Sequence, residues 1–369
     1  MLAFLRSVRP VAAAAGLSVL LVACGDDDPS GPAFSAETAT EMAVVAEDVV
    51  APIESTENLQ LHLGLAWGAL LGFDPGAELS PLYPFATMRE LRQPLAASRT
   101  VPSAAAPTGL LLPDEIEGTT FVWSAAEGQY VASEEPGAPA SGVRFVYYAI
   151  NPVSGEPALP LNALGHIDLI DESTEERARL EIVAIQDQGD VTLADYFVEG
   201  GVSGNLVTNT VTIDSEGYFS DGSDRLDFDM HMAMTGSESA STEEFSAELS
   251  ANGGSITVDM TETLTGEDDI ESEATFTIEG EGNRATFGFT TVGTLEAATI
   301  DGALEFNGTE VVVVSGDAFD PEFTRPDGSA LTATEVDALG RMWLAAGMTT
   351  LFVFQTLFPF LLLLAFAGF

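Results

Sequence analysis

The chain of 369 residues carries 58 acidic side chains against 12 basic ones, which gives a formal net charge of −46. This charge argues against nucleic acid as a partner, because phosphate contacts need basic patches, and against docking on anionic lipid headgroups. It favours a solvated acidic surface that keeps copies of the chain apart.

The amino-terminal residues have the parts of a secretory signal. Arg6 and Arg9 form a short positive region, and residues 11–23 form an apolar run that ends in small residues. A helix needs about 20 apolar residues to cross a bilayer, so this run of 13 residues is too short for a membrane span. Residues 1–23 are therefore predicted to be a signal peptide that is removed on export.

The end of this run, Leu21-Val22-Ala23-Cys24, resembles the lipobox of bacterial lipoproteins, and the resemblance covers only the first 24 residues. It implies cleavage before Cys24, attachment of diacylglycerol to the Cys24 thiol and acylation of the new amino group. Two or three acyl chains hold a protein firmly on a membrane, because each buried methylene contributes about 0.8 kcal/mol. Gly25 stands where an aspartate would favour the inner membrane, so we expect the outer membrane.

The segments that follow predict a tether, two helices and a long loop. Cys24 is the only cysteine, so a lipidated chain has no thiol left for disulfides, metal ligation or nucleophilic catalysis. Residues 24–34 are rich in Asp, Pro, Gly and Ser and predict a flexible acidic tether. Residues 35–73 show helical spacing of apolar side chains, interrupted at Pro52. Residues 74–116 are rich in Pro, Ala and Ser and predict a loop.

Residues 117–325 alternate between apolar and polar side chains, which predicts β-strands. For example, Phe228 and Met230 share one face of a strand, and Asp227 and Asp229 share the other. Pairs of Asn and Gly connect several strands, as they do in tight hairpins. The segment is therefore predicted to be an antiparallel meander with strands of about eight to ten residues, one face apolar and the other acidic.

Residues 331–369 are predicted to be an apolar helical segment. Thr332 and Glu335 fit a capping box at its start, and residues 342–369 contain no charged side chain. A helix that is apolar all round must be buried all round, either in lipid or in a groove of the protein.

The groove is the preferred environment for this segment, and membrane insertion is the alternative. Its length suits a membrane span, but Pro359 interrupts it and no basic residue follows it. The sheet also has a broad apolar face that would aggregate if nothing covered it. We therefore expect a helix that ends near Phe358 and fills the curved sheet, with residues 360–369 turning back over it.

Together these elements predict a mainly β fold with helices (α+β). A long antiparallel meander forms a curved sheet or half-barrel, packed by the N-terminal helices and the apolar C-terminal helix. The arrangement loosely resembles the half-barrel folds of periplasmic lipid and lipoprotein carriers, and this resemblance implies an apolar hollow. A closed outer-membrane barrel is an alternative, because alternating strands and a terminal Phe369 also suit one.

The candidate binding site is an apolar trough on the inner face of this sheet. Its predicted lining consists of Met230, Met232, Met234, Phe287, Phe289 and Trp343. Methionine side chains adapt to varied apolar ligands, although a packed core is the simpler interpretation of the same residues.

Polar side chains offer weaker candidates. His166, Asp168 and Asp171 lie close together in one predicted strand and could bind a divalent cation or form an acid–base pair. His62 is predicted to lie at a helix edge, and His231 on a solvated strand face. No phosphate loop, dinucleotide fingerprint or metalloprotease motif is present, so the sequence predicts no catalytic residue, metal or cofactor.

The sequence therefore predicts a membrane-tethered, non-enzymatic lipoprotein that binds lipid or a hydrophobic partner in its trough. The alternative is a structural acidic protein of the envelope surface with no small-molecule ligand. An outer-membrane barrel and an enzyme such as a hydrolase are further alternatives, in that order. The predicted partners are the membrane, through Cys24 and, if the C-terminal segment inserts, through that segment as well, and a lipid or other hydrophobic ligand, with no nucleic acid.

Cys24→Ser is expected to abolish acylation and to release the exported chain from membranes, because no other thiol is present. The measurement is incorporation of labelled palmitate together with fractionation of cells. Gly25→Asp is the matched variant, which should keep the label and shift the protein toward the inner membrane. A Cys24→Ser chain that still takes up palmitate would contradict the prediction.

Overall fold

The structure of the chain is a computed structural model. It describes residues 34–71, 111–151, 154, 156–174, 177–204, 209–236, 240–265, 269–294, 297–318 and 320–367. The signal peptide, Cys24, most of the tether and the predicted loop up to residue 110 lie outside the described residues.

Three helices accompany one large sheet in the described part of the chain. The helices are α1 (Ala36–Ser55), α2 (Glu57–Leu71) and α3 (Ala333–Ala367). The first strands are β1 (Thr119–Ser124), β2 (Gln129–Ser133), β3 (Gly142–Tyr148), β4 (Ala163–Asp171), β5 (Ala178–Gln186), β6 (Val191–Gly204), β7 (Asn209–Ser220) and β8 (Arg225–Gly236). The remaining strands are β9 (Ala240–Ala251), β10 (Gly254–Thr265), β11 (Asp269–Gly280), β12 (Asn283–Thr294), β13 (Ala297–Phe306), β14 (Thr309–Asp317) and β15 (Asp320–Thr324).

All 15 strands form a single sheet, so the predicted fold class is confirmed. Their order is β15-β14-β13-β12-β11-β10-β9-β8-β7-β6-β5-β4-β3-β1-β2. Each neighbouring pair is antiparallel except β1 and β3, which are parallel. Within the described residues β15 and β2 form the two edges and do not pair with each other, so this sheet is not closed into a barrel.

Two-residue turns set the register of the hairpins. Asn252 and Asn307 have positive φ angles of 54° and 51° and each precedes a glycine with positive φ, as a tight hairpin turn with two left-handed residues requires. Between β11 and β12 the turn residues are Glu281 and Gly282, one position earlier than the predicted Gly-Asn pair. Strands β7 to β12 have 12 residues each, longer than the predicted eight to ten.

Alternation along each strand gives the sheet one buried face and one polar face. On β8, Phe228 and Met230 are buried, whereas Asp229 and His231 are exposed. We call the apolar face, which packs against the helices, the inner face, and the opposite face the outer face. The predicted separation of apolar and acidic side chains is therefore present on β8, but Glu243 of β9 and Glu262 of β10 are buried on the inner face, where they lie opposite one another.

Helix α1 packs on the inner face at the end of the sheet that carries the β9–β10 and β11–β12 turns. Its Val45 approaches the backbone so closely that a Cβ at Gly280 would lie 2.6 Å from the Val45 Cγ1 atom, and one at Gly254 would lie 2.8 Å away. Glycine at these two positions lets the helix sit directly on the strands.

Pro52 does not end α1, contrary to the prediction. Proline has no N–H to donate to the carbonyl one turn earlier, which would normally leave that carbonyl without a partner. In the fold, the side-chain amide of Asn252 donates to the Asp48 carbonyl at 3.1 Å instead. The helix continues to Ser55 because a residue of the β9–β10 turn replaces the lost hydrogen bond.

Helix α3 crosses the inner face beside α1 and is the centre of the core. Its Phe352 ring packs against Phe219 and Phe228 at centroid distances of 5.4 Å and 5.7 Å. The capping box at its start is confirmed, since Thr332 N donates to Glu335 at 2.7 Å and Glu335 N donates to the Thr332 hydroxyl at 3.3 Å.

The expectation that α3 ends near Phe358 was wrong, because it continues through Pro359 to Ala367. Phe360 and Leu364 are almost fully buried, and a Cβ at Gly200 of β6 would lie 3.2 Å from atoms of both side chains. Burial of large apolar side chains is worth about 1.5–3 kcal/mol each, which offsets the hydrogen bond that proline removes.

Among the described residues, one helix is long and apolar enough to cross a membrane by length and composition alone. This is α3, whose candidate span is Ala333–Leu361, and 65% of its most apolar window is buried inside the protein. A buried core helix passes the same test of length and composition.

Phe352→Ala is expected to lower the free energy of unfolding by about 3–5 kcal/mol, because it leaves a cavity between α3 and the sheet. Leu344 lies on the same helix but is 50% exposed, so Leu344→Ala should change it by less than about 0.5 kcal/mol. Urea unfolding of both variants makes the comparison. Equal, small losses would show that α3 is not part of the core.

Candidate functional site

The predicted trough residues lie on the inner face, but they fall into two places. Met230 and Met232 are nearly fully buried on β8, and Met234 is partly buried beside them. Phe287 and Phe289 lie four strands away on β12. Both groups belong to the hydrophobic core.

Trp343 of α3 covers the β12 part of the trough. Its ring centroid lies 5.3 Å from Phe289 and 6.3 Å from Phe287. It also lies 6.4 Å from Phe276 of β11 and from Phe323 of β15. The trough is therefore filled by the chain's own helix in this conformation, and the predicted lining is core.

Two polar clefts with room for a ligand lie outside the trough, the larger at the strand ends and the smaller on the outer face. The larger cleft has a volume of about 740 Å³ at the hairpin ends of β8 to β12 and is lined by Arg225, Asp227, Ser250, Glu279 and Arg284, among others. The smaller cleft, of about 290 Å³, is lined by Glu216, Arg225, Asp227, Asp229 and Glu248, among others. Neither has the apolar lining that acyl chains require.

The three residues proposed as a weak metal site have separate partners. Asp168 accepts two hydrogen bonds of 2.7 Å from Arg144. His166 lies 3.4 Å from Asp187. Asp171 points to the opposite face of β4, because it lies an odd number of residues from both His166 and Asp168 along the strand. Within the described residues, no group of three or more His, Cys, Asp or Glu side chains could hold a metal ion.

Asp171 instead anchors the chain where the described part resumes after α2. Its carboxylate accepts from the backbone N–H groups of Leu111 and Leu112 at 2.5 Å and 2.8 Å, and from Ser173 N at 2.9 Å. Leu111 and Leu112 are buried. Hydrogen bonds to a charged acceptor are stronger than neutral ones, so this carboxylate holds the Leu111–Leu112 pair against the sheet.

Every arginine in the described part of the chain forms an ion pair with a carboxylate. The pairs are Arg144–Asp168, Arg177–Glu199, Arg179–Glu172, Arg179–Glu199, Arg225–Asp227, Arg284–Glu279, Arg325–Glu335 and Arg341–Glu47. The few cations are thus held in local pairs, and the outer face stays acidic.

His62 is fully buried rather than at a helix edge, as the sequence had suggested. Its Nδ1 lies 2.9 Å from the Tyr130 hydroxyl, which donates to the Val146 carbonyl at 2.9 Å. Its Nε2 lies 2.7 Å from the Tyr148 carbonyl oxygen and 3.1 Å from Tyr148 N. These contacts join α2 to strands β2 and β3 through a buried imidazole.

Burial lowers the pKa of His62 from 6.5 to about 4, although the hydrogen bond with the Tyr148 backbone acts in the opposite direction. Desolvation disfavours the charged form of an imidazole. No signal in the sequence distinguishes this histidine from an exposed one, because its partners lie more than 60 residues away along the chain.

Comparisons of this chain with protein-family models, with curated proteins and with solved structures returned no match.

The burial of His62 predicts that stability falls in mild acid. Between pH 6.5 and pH 4 the unfolded chain binds a proton that the folded chain does not, so the free energy of unfolding decreases as the pH is lowered through this range. A difference of about 2.5 pKa units corresponds to about 3 kcal/mol. Urea unfolding across this pH range measures the loss.

His62→Gln should remove this part of the pH dependence, and His231→Gln should keep it. The pKa of Glu47 is lowered by its hydrogen bonds with Arg341. Protonation of Glu47 at lower pH therefore causes a further loss of stability, in the unaltered chain and in both histidine variants. An unchanged slope in His62→Gln would show that the imidazole is not the titrating group.

Proposed function

We propose that this chain is an exported lipoprotein of the bacterial envelope that acts through its acidic outer surface and not as an enzyme. The observation that carries this proposal is the covering of the whole trough by α1 and α3. With these helices on the inner face, the outer face of the sheet is left to face the surroundings.

The outer face carries like charges in direct contact across strands. Glu216, Asp229 and Glu248 lie opposite one another on β7, β8 and β9, and all three are exposed. Like charges in such positions destabilise a sheet by a few tenths of a kcal/mol or more. The presence of these charges despite their cost supports a role in which surface charge maintains solubility and spacing between copies.

The lipid anchor completes this proposal. Acyl chains on Cys24 would hold the protein on the membrane, with the outer membrane favoured over the inner membrane because Gly25 follows the cysteine. The large negative charge would repel the protein from anionic headgroups and from nucleic acid.

A second candidate function is the binding of acyl chains in the trough, and one feature of α3 favours it. In the described chain, the side-chain hydrogen bonds of α3 beyond Arg341 run from Thr349, Thr350 and Thr356 to carbonyls of the same helix. The helix could therefore leave the trough without breaking hydrogen bonds to the sheet, and a lipid would then take its place.

Native mass spectrometry of the gently extracted protein distinguishes the two functions. The surface role predicts the mass of the acylated chain alone, because the trough is full. One non-covalent lipid per chain, lost on washing with denaturant, would overturn this proposal and support the carrier. Val292→Glu is the control, since it adds charge at an exposed position of the outer face and should leave the measured mass of any bound lipid unchanged.

A further inference from the structure

The two long helices differ in the sides that they turn away from the sheet. The exposed positions of α1 are mainly acidic and are Glu37, Glu41, Val44, Glu47, Asp48, Ala51, Glu54 and Ser55. Among the positions of α3 beyond Arg341 whose burial the structure describes, the exposed ones are Leu344, Gly347 and Gln355. A helix that covers a sheet needs apolar side chains only on the side that faces it, so α1 follows the usual pattern and α3 does not.

The uncharged side of α3 forms a continuous stripe. Leu344, Gly347, Leu351 and Gln355 recur at intervals of three and four residues, which places them on one side of the helix. Leu344 is 50% exposed, and Leu351 is partly buried. Packing in the trough does not explain why this stripe lacks the charged residues found along α1.

We propose that this stripe, defined by Leu344, Gly347, Leu351 and Gln355, contacts the acyl region at the surface of the bilayer. The inference rests on the proposed lipid anchor, which would bring a bilayer next to the helices. Lipid is the occupant that an uncharged helix side fits, because every charged group at the hydrocarbon boundary costs free energy.

The position of the tether agrees with this contact. Phe34, just before α1, packs against Phe306 with ring centroids 5.9 Å apart. The ten residues 24–33 span at most about 35 Å when extended, so lipid on Cys24 holds this end of the helical layer near the membrane. Contact of the stripe with the bilayer would turn the acidic outer face away from it.

The acidic side of α1 lies beside the stripe and sets a preference among lipids. Glu37, Glu41 and Glu54 are exposed on it, and they would be repelled by anionic headgroups. Arg341, the one basic residue at the start of the stripe, is already paired with Glu47. Contact is therefore expected with zwitterionic bilayers and should weaken as anionic lipid is added.

The test uses the mature chain with Cys24→Ser, which has no cysteine and no acyl anchor. A fluorophore sensitive to polarity is attached at Gln355→Cys on the stripe or, as the control, at Val292→Cys on the outer face. Val292 is 54% exposed, similar to Leu344. Phosphatidylcholine vesicles should shift the emission to the blue and raise it several-fold at position 355 only.

Equal responses at the two positions, or none at either, would overturn the proposal. Leu344→Glu should remove the response at position 355 without changing the urea midpoint, whereas Val292→Glu should leave it intact. Shielding of the label without vesicles would also overturn it: shielding that rises with protein concentration indicates a second copy, and constant shielding indicates another segment of the same chain.

The lipid anchor is tested separately, because these proteins lack Cys24. Failure of palmitate labelling in cells would remove the proposed tether and leave the vesicle result standing. A negative vesicle result would remove the contact of α3 and leave the tether standing.

Discussion

The mutual covering of α3 and the inner face of the sheet is the interaction on which the rest of this structure depends. The sheet has 15 strands in an open order, and its apolar face is too large to remain in water. The helix is uncharged from residue 342 onward. Phe352 and Trp343 join the two by contacts with aromatic rings on five different strands. Helix α1 packs against both of these elements and covers strands β7 to β12 beside α3.

This arrangement also determines where the charges lie. Acidic side chains on the outer face, in the turns and on the free side of α1 are screened by water, whereas Asp171, Glu243 and Glu262 are buried on the inner face. The seven described arginines form local pairs that neutralise individual carboxylates, including the nearly buried Glu199 and Glu335. The remaining negative charge is distributed over the outer surface and gives the molecule two chemically distinct sides.

The proposed function and the proposed lipid contact follow from this difference between the two sides. A protein tethered near Phe34 would approach a bilayer with its helical layer and expose its acidic sheet to the surrounding solution. The polar clefts at the hairpin ends would then lie on the solution side. A carrier function would require α3 to leave the core. Because the threonine hydroxyls of α3 bond within the helix, the main free-energy cost of that movement would be the loss of hydrophobic contacts.

Sequence alone determined the features that depend on neighbouring residues: the alternation on β8, the turn at Asn307 and the capping box of α3. Hydrophobic period, turn conformation and helix caps are local properties, so they can be predicted without the fold. Tertiary structure decided the burial of His62, the continuation of α1 through Pro52 and the separate partners of Asp168 and Asp171. Those outcomes depend on groups far apart in the chain, such as Asn252 bonding to Asp48, and no local pattern records which distant groups will meet.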